Sequence, residues 1–309
     1  MSHLHHPHHS VHEHQHHEHR HEKDLKTAFV LNLIFTLIEF AGGFFSGSIA
    51  IITDAVHDLG DTLAIGGALF FEKKSRKGRD KTYSYGYGRY SPMAAFINGL
   101  ILISGSVIML SHAIPALLKP EPVNTPIMSA IAVVGILFNG LAVWKLHAGH
   151  HHHAHHSHNR HVVMLHLLED TLGWAAVLVG SIIIYFTDWY IIDPLLSILI
   201  ALFILYNAFR GLRETSSILL QAIPDPEKME KLQCRLQQIP GVENVHDLHY
   251  WTLDGNKDVL TVHLKPREKT DVSSWQVIQN EACNILREFK VGHYTVQIDF
   301  DKNCDFKEC

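Results

Sequence analysis

Six apolar segments fill residues 25–213 and leave this chain little choice of architecture. They run over roughly 25–45, 48–71, 91–117, 125–146, 162–186 and 189–213. A helix that crosses a bilayer needs about 20 mainly apolar residues. In hydrocarbon only helices and closed barrels satisfy their own backbone polar groups, so six transmembrane helices are expected. The links at Gly47, at 119–124 and at 187–188 are short and carry one lysine in total. By contrast "EKKSRKGRDKTYSYGYGR" (72–89), the loop at 147–161 and the end of the sixth segment all carry Lys or Arg. Basic loops stay in the cytoplasm, which puts both termini on that side. The first 24 residues lack the apolar core of a signal peptide.

Beyond residue 213 the pattern changes to a polar, mixed-charge one. "DPEKMEKLQCRLQQI" (225–239) has helical spacing with Asp225 as a cap. "VENVHDLHYWTL" and "DVLTVHLKP" read as strands joined by a turn at 254–256. Residues 271–290 read as a second helix, and "HYTVQIDF" (293–300) as a third strand. The α-β-β-α-β order suggests a small α+β sandwich, helices on one side of a three-stranded sheet. The expected division is a His-rich cytoplasmic tail (1–24), a six-helix membrane domain (25–213), a cytoplasmic domain (214–300) and a Cys-containing tail (301–309). All four cysteines lie after residue 230, which argues against a disulfide scaffold and suits a reducing compartment. No basic stripe suggests nucleic acid.

Within the second segment "HDLGD" (57–61) places charge where hydrocarbon is expected, and a central Asp costs about 2.5–3.5 kcal/mol there by insertion scales. Asp54, His57, Asp58 and Asp61 fall at i, i+3, i+4 and i+7, one face of a helix. The fifth segment repeats the spacing in "HLLED", with His166 four residues before Asp170. Two helices, each presenting a His one turn before an Asp, can bring two imidazoles and two carboxylates to one point. Such a set suits tetrahedral Zn²⁺, which neutralises both carboxylates. Asp54 and Asp58 are expected outside the ligand set. Asn32 and Glu39, seven apart on the first segment, either face the same cavity or serve as packing polar groups. A zinc protease would show H-E-x-x-H, and none is present.

Histidine is the compositional outlier: 27 residues, against 26 Lys and Arg together. Eleven lie within 3–21 and nine within 147–161. Such tracts are metal-binding signals, placed here to collect or sense cytosolic ions.

The two H-x-x-x-D motifs, the His-rich loop between segments four and five, and "PGVENVHDLHYWTL" together resemble the cation diffusion facilitators over residues 24–300. The likeness is greatest to the zinc-exporting branch of bacterial resistance proteins and animal vesicular transporters. It implies a homodimeric metal/proton antiporter with His57, Asp61, His166 and Asp170 as the transport site. It also implies a ferredoxin-like cytoplasmic domain that dimerises and binds regulatory Zn²⁺, with His246, His263 and Asp299 at the matching positions. His246 and His263 come from neighbouring strands and could share an ion, while strand alternation puts His246 and Asp247 on opposite faces. Two positions where relatives carry further His ligands hold Gln276 and Gln297 here. A shallow His site in the basic loop is replaced by Tyr83 and Tyr87. Arg89 matches a basic residue that pairs with an acid in some relatives, and Glu214 is the nearby candidate. Cys304 and Cys309 could add thiolate ligands.

The expected function is therefore export of Zn²⁺ in exchange for protons, through a multi-pass protein in a bacterial inner membrane. No P-loop motif suggests ATP, and no enzymatic chemistry is expected. The alternatives are an exporter mainly of Co²⁺ or Cd²⁺, or a membrane-anchored zinc buffer or sensor.

Overall fold

The computed structural model describes the backbone of residues 11–75, 77–148, 157–267 and 272–299. Among them six long helices come first: α1 (Val11–Ser46), α2 (Ile49–Ser75), α3 (Tyr90–Leu118), α4 (Thr125–Ala148), α5 (Ser157–Thr187) and α6 (Ile192–Leu219). There follow α7 (Pro226–Gln237), β1 (Val242–Thr252), β2 (Asp258–Pro266), α8 (Val272–Glu288) and β3 (His293–Ile298). Among the described residues four stretches are long and apolar enough to cross a membrane: Phe29–Ser46, Tyr90–Leu118, Leu168–Thr187 and Ile192–Leu219. The described part of α4 adds a shorter one, Thr125–Leu141. The described part of α2 is not among them, and Asp54, Asp58 and Asp61 interrupt its apolarity. Helices α1 and α5 begin at Val11 and Ser157, inside the two His tracts. The chain divides into two compact groups, Met1–Phe70 with Ile97–Gly211 and Phe71–Phe96 with Leu212–Cys309. Residues of the basic loop thus group with the C-terminal unit.

In the helical group the outward surface is apolar: Phe44, Phe45, Leu118, Phe186 and Phe203 are all exposed. Contiguous exposed apolar surface on this scale calls for a lipid or protein partner. Inside, small residues let helices approach. A Cβ on Gly135 of α4 would stand 2.4 Å from the indole of Trp174 on α5. One on Gly60 of α2 would stand 2.2 Å from Leu102 on α3. Phe35 of α1 stacks on Phe138 of α4 at 4.6 Å and meets Trp174 edge-on. Without a hydrophobic drive between helices in lipid, packing and interhelical hydrogen bonds hold such bundles. Thr53 and Ser197 join α2 to α6 at 2.7 Å, and Ser129 and Ser181 join α4 to α5 at 2.8 Å. Buried Asp193 accepts from the Ser48 hydroxyl and from the Ile49 backbone N–H at 2.7 Å, tying the start of α6 to the start of α2.

The C-terminal unit follows the expected α-β-β-α-β order, with sheet order β1-β2-β3. β1 pairs antiparallel with β2, and β2 pairs parallel with β3, His263 lying opposite Gln297. Asp225 caps α7 by accepting from Lys228 N at 2.9 Å, with Pro226 in the first turn. Leu232 and Leu236 of α7, Ile278, Ala282 and Leu286 of α8, and Leu260, Val262 and Leu264 of the central strand form its core. The polar face of that sheet carries the histidines.

Candidate metal centres

Helix geometry on α2 sets Asp54, His57, Asp58 and Asp61 on one side, as their spacing requires. His57 Nε2 lies 3.7 Å from Asp61 Oδ2 on its own helix and 3.9 Å from Asp170 Oδ1 on α5. Bonds of about 2.0–2.2 Å put neighbouring ligand atoms around tetrahedral Zn²⁺ about 3.4 Å apart. His57 therefore stands from each carboxylate at close to the separation that a shared ion would impose. His166 lies on α5 four residues before Asp170, and its side chain falls outside the described residues. Around this point α1 contributes two polar residues. Asn32 donates to Thr62 Oγ1 at 3.0 Å and to the Asp58 carbonyl at 3.4 Å, so it serves as a packing group between α1 and α2. Glu39 is fully buried, with neither carboxylate oxygen hydrogen-bonded among the described residues. Asp58 is 6% exposed and Asp54 half-buried.

A second group of ligands forms on the sheet. One atom from each of His246, His263 and Asp299 lies within 4.8 Å of the others. Asp299 Oδ2 is 2.8 Å from His246 Nε2 and 3.1 Å from His263 Nδ1. Both ring nitrogens of His246 are nonetheless buried without a well-aligned hydrogen bond. A buried imidazole in that condition fits a cation better than it fits its neighbours, since unsatisfied buried polar atoms are disfavoured. Burial pushes the Asp299 carboxyl up. Hydrogen bonds from Gln297 and His263, with His263 and His246 close by, outweigh this and hold it below the usual carboxylate range. Zn²⁺ held here would draw on two imidazoles and one carboxylate, a borderline-soft set suited to it.

Several readings of the sequence change at this sheet. His246 and Asp247 do not fall on opposite faces: a register slip between His246 and His249 and a φ of 48° at Asp247 bring its carboxylate to 3.4 Å from His263. Strand periodicity carries no trace of such a bulge, so sequence reasoning missed Asp247. Gln297 donates to Asp299 Oδ1 at 2.9 Å. Gln276 is exposed on α8. Cys304 and Cys309 lie outside the described residues.

The basic loop is built on Asp80 rather than on histidine. Asp80 accepts from Lys77 Nζ and Tyr87 Oη at 2.8 Å, and from the backbone of Thr82 and Tyr83. The Lys77 hydrogen bond, followed by those two backbone bonds, holds its carboxyl well below the ordinary range. Tyr83, Tyr87 and Tyr90 pack ring on ring there. Arg89 makes no ion pair among the described residues.

Long apolar helices that shelter a His–Asp cluster, followed by a small sheet with a second one, define a membrane protein that handles cations. The family pattern described as the cation efflux transmembrane domain matches residues 25–220, and that of the cation efflux protein cytoplasmic domain matches 224–301. The chain is 33% identical over 285 residues to the zinc transporter ZitB of Escherichia coli strain K12, covering 91% of this chain and 88% of that one. It is 32% identical over 279 residues to the metal cation efflux system protein CzcD of Cupriavidus metallidurans, covering 90% and 86%. A "cadmium, cobalt and zinc/H(+)-K(+) antiporter" of Bacillus subtilis strain 168 is 28% identical, covering 90% and 89%. The chain belongs to the cation diffusion facilitator, or cation efflux, family. It is an integral multi-pass membrane protein and a cation efflux transporter, not an enzyme.

Proposed function

We propose that the protein exports Zn²⁺ from the cytoplasm in exchange for protons, with all six long helices spanning a bacterial inner membrane and both termini inside. The observation that carries this is the placement of His57 Nε2 between Asp61 and Asp170. His166 completes a His₂Asp₂ transport site. The relatives' names support zinc as cargo and proton exchange as the drive. Imidazole binds metal only when neutral, and its unperturbed pKa of about 6.5 lies near cellular pH. Facing the cytoplasm, the site loads Zn²⁺ and releases protons. Facing a more acidic exterior, protons compete for the same lone pairs and the ion leaves.

The cytoplasmic unit pairs two copies of the chain, as its relatedness to the family's dimerisation domain supports. His246, His263 and Asp299 hold a regulatory Zn²⁺, and the His tracts raise its local concentration. A membrane-anchored zinc buffer would use those tracts without flux. Replacing His57 and Asp61 while leaving both tracts intact separates the two: a transporter stops lowering cytosolic zinc, and a buffer keeps its capacity.

A further inference from the structure

β1 departs from regular pairing at two places, and the second lies among the histidines. Its register on β2 slips between His246 and His249, and Asp247 there has φ 48°. Asp and Asn tolerate that left-handed region better than other non-glycine residues. Bulges of this kind re-aim a side chain beside functional sites, and here the bulge turns Asp247 toward His263. Asp247 Oδ2 lies 3.4 Å from His263 Nε2, and Asp247 Oδ1 accepts from His249 Nε2 at 2.8 Å. His263 is therefore flanked by carboxylates at both ring nitrogens, Asp299 at Nδ1 and Asp247 at Nε2.

A neutral imidazole that gives one lone pair to a metal carries its proton on the other nitrogen, and the partner of that proton fixes tautomer and ring orientation. We propose that Asp247 is the positioning residue of the cytoplasmic zinc centre: it accepts a hydrogen bond from His263 Nε2–H and so aims the Nδ1 lone pair at an ion shared with His246 and Asp299. His249 steadies Asp247 from behind. The contact of 3.4 Å is long for a hydrogen bond, and it shortens when Nδ1 is drawn onto the ion. Gln297 plays the matching part for Asp299, holding Oδ1 so that Oδ2 faces both imidazoles. The inference rests on the cytoplasmic site proposed above.

The test is a chelator-buffered zinc titration of the full-length protein in detergent, read as the binding lost on His263→Ala. Asp247→Asn and Asp247→Gly both accept the backbone at φ 48°, and neither carries the carboxylate. The midpoint of the His263-dependent component should rise by about tenfold to 100-fold in both. Asn, which keeps an acceptor oxygen, should fall nearer the wild type. Metal-free thermal stability should stay unchanged in both variants. A midpoint within twofold of wild type, or a loss matched by metal-free unfolding, would overturn the role of Asp247. If His263→Ala itself removes no binding, the cytoplasmic site fails first and the inference with it.

Discussion

His57 on α2 and Asp170 on α5 approach to 3.9 Å, joining two helices that are far apart in sequence through groups that neither lipid nor a plain packing interface would select. Intramembrane ionisable residues of this kind face the bundle and mark ion pathways. Asp170→Asn keeps the shape and halves the charge opposing the ion. Loss of an outer-shell partner costs metal sites about 10–100-fold, so loss of this ligand should lower zinc flux by at least about tenfold. Protein yield and thermal stability should hold. Flux in proteoliposomes measured beside unfolding of the same preparation checks both.

The Asp193 carboxylate fastens α6 to α2 through Ser48 and the Ile49 N–H. Asp193→Ala leaves two buried donors unsatisfied, and each such group costs about 1–3 kcal/mol. Thermal unfolding in detergent should show a clear loss in Asp193→Ala and a smaller one in Ser48→Ala. Equal stability in all three proteins would remove this tie from the account.

Gly135 gives its space to Trp174. Gly135→Ala puts a methyl group into the indole and should destabilise the bundle by about 1–3 kcal/mol. Trp174→Leu on top of Gly135→Ala should recover part of that loss, since the clash is with a side chain. A double mutant no better than Gly135→Ala would place the fault elsewhere.

In the C-terminal unit Lys228 Nζ and Tyr250 Oη both donate to Asp258 Oδ2, at 2.8 and 2.6 Å. Burial pushes the Lys228 ammonium down, but its bonds to Asp258 and Tyr250 outweigh this and raise it. Burial and the bond to Asp258 raise Tyr250. Both folded values exceed the unfolded ones, so both groups add stability that is fully present below about pH 10 and is lost as pH rises through the folded values. Thermal unfolding at pH 8, 10 and 11 should show the unit weakening above pH 10. Tyr250→Phe should blunt that trend and cost about 1.5–3 kcal/mol at neutral pH.

What could be read from sequence differs between the two halves of the chain for physical reasons. Membrane helices announce themselves through uninterrupted apolarity, as α3 and α6 do. α2 is legible only through the i, i+3, i+4, i+7 spacing of its charged residues, because those same residues break its apolarity. In the sheet, Asp225 at the α7 cap and the strand bounds Asp258–Pro266 follow from local chemistry. The bulge at Asp247 and the turn of Gln297 toward Asp299 depend on pairing between strands, which period-2 alternation cannot register. Contacts such as Ser48 with Asp193 join residues distant in sequence, and no spacing rule foretells them.

Zinc uptake into proteoliposomes with an acidic lumen, for wild type and Asp61→Ala with both His tracts intact, tests the central claim most directly. The account expects accumulation that requires the pH gradient and vanishes in the variant. Equal zinc signals from both proteins, with or without the gradient, would mean that the tracts merely bind the ion and that His57, Asp61 and Asp170 do not form its path.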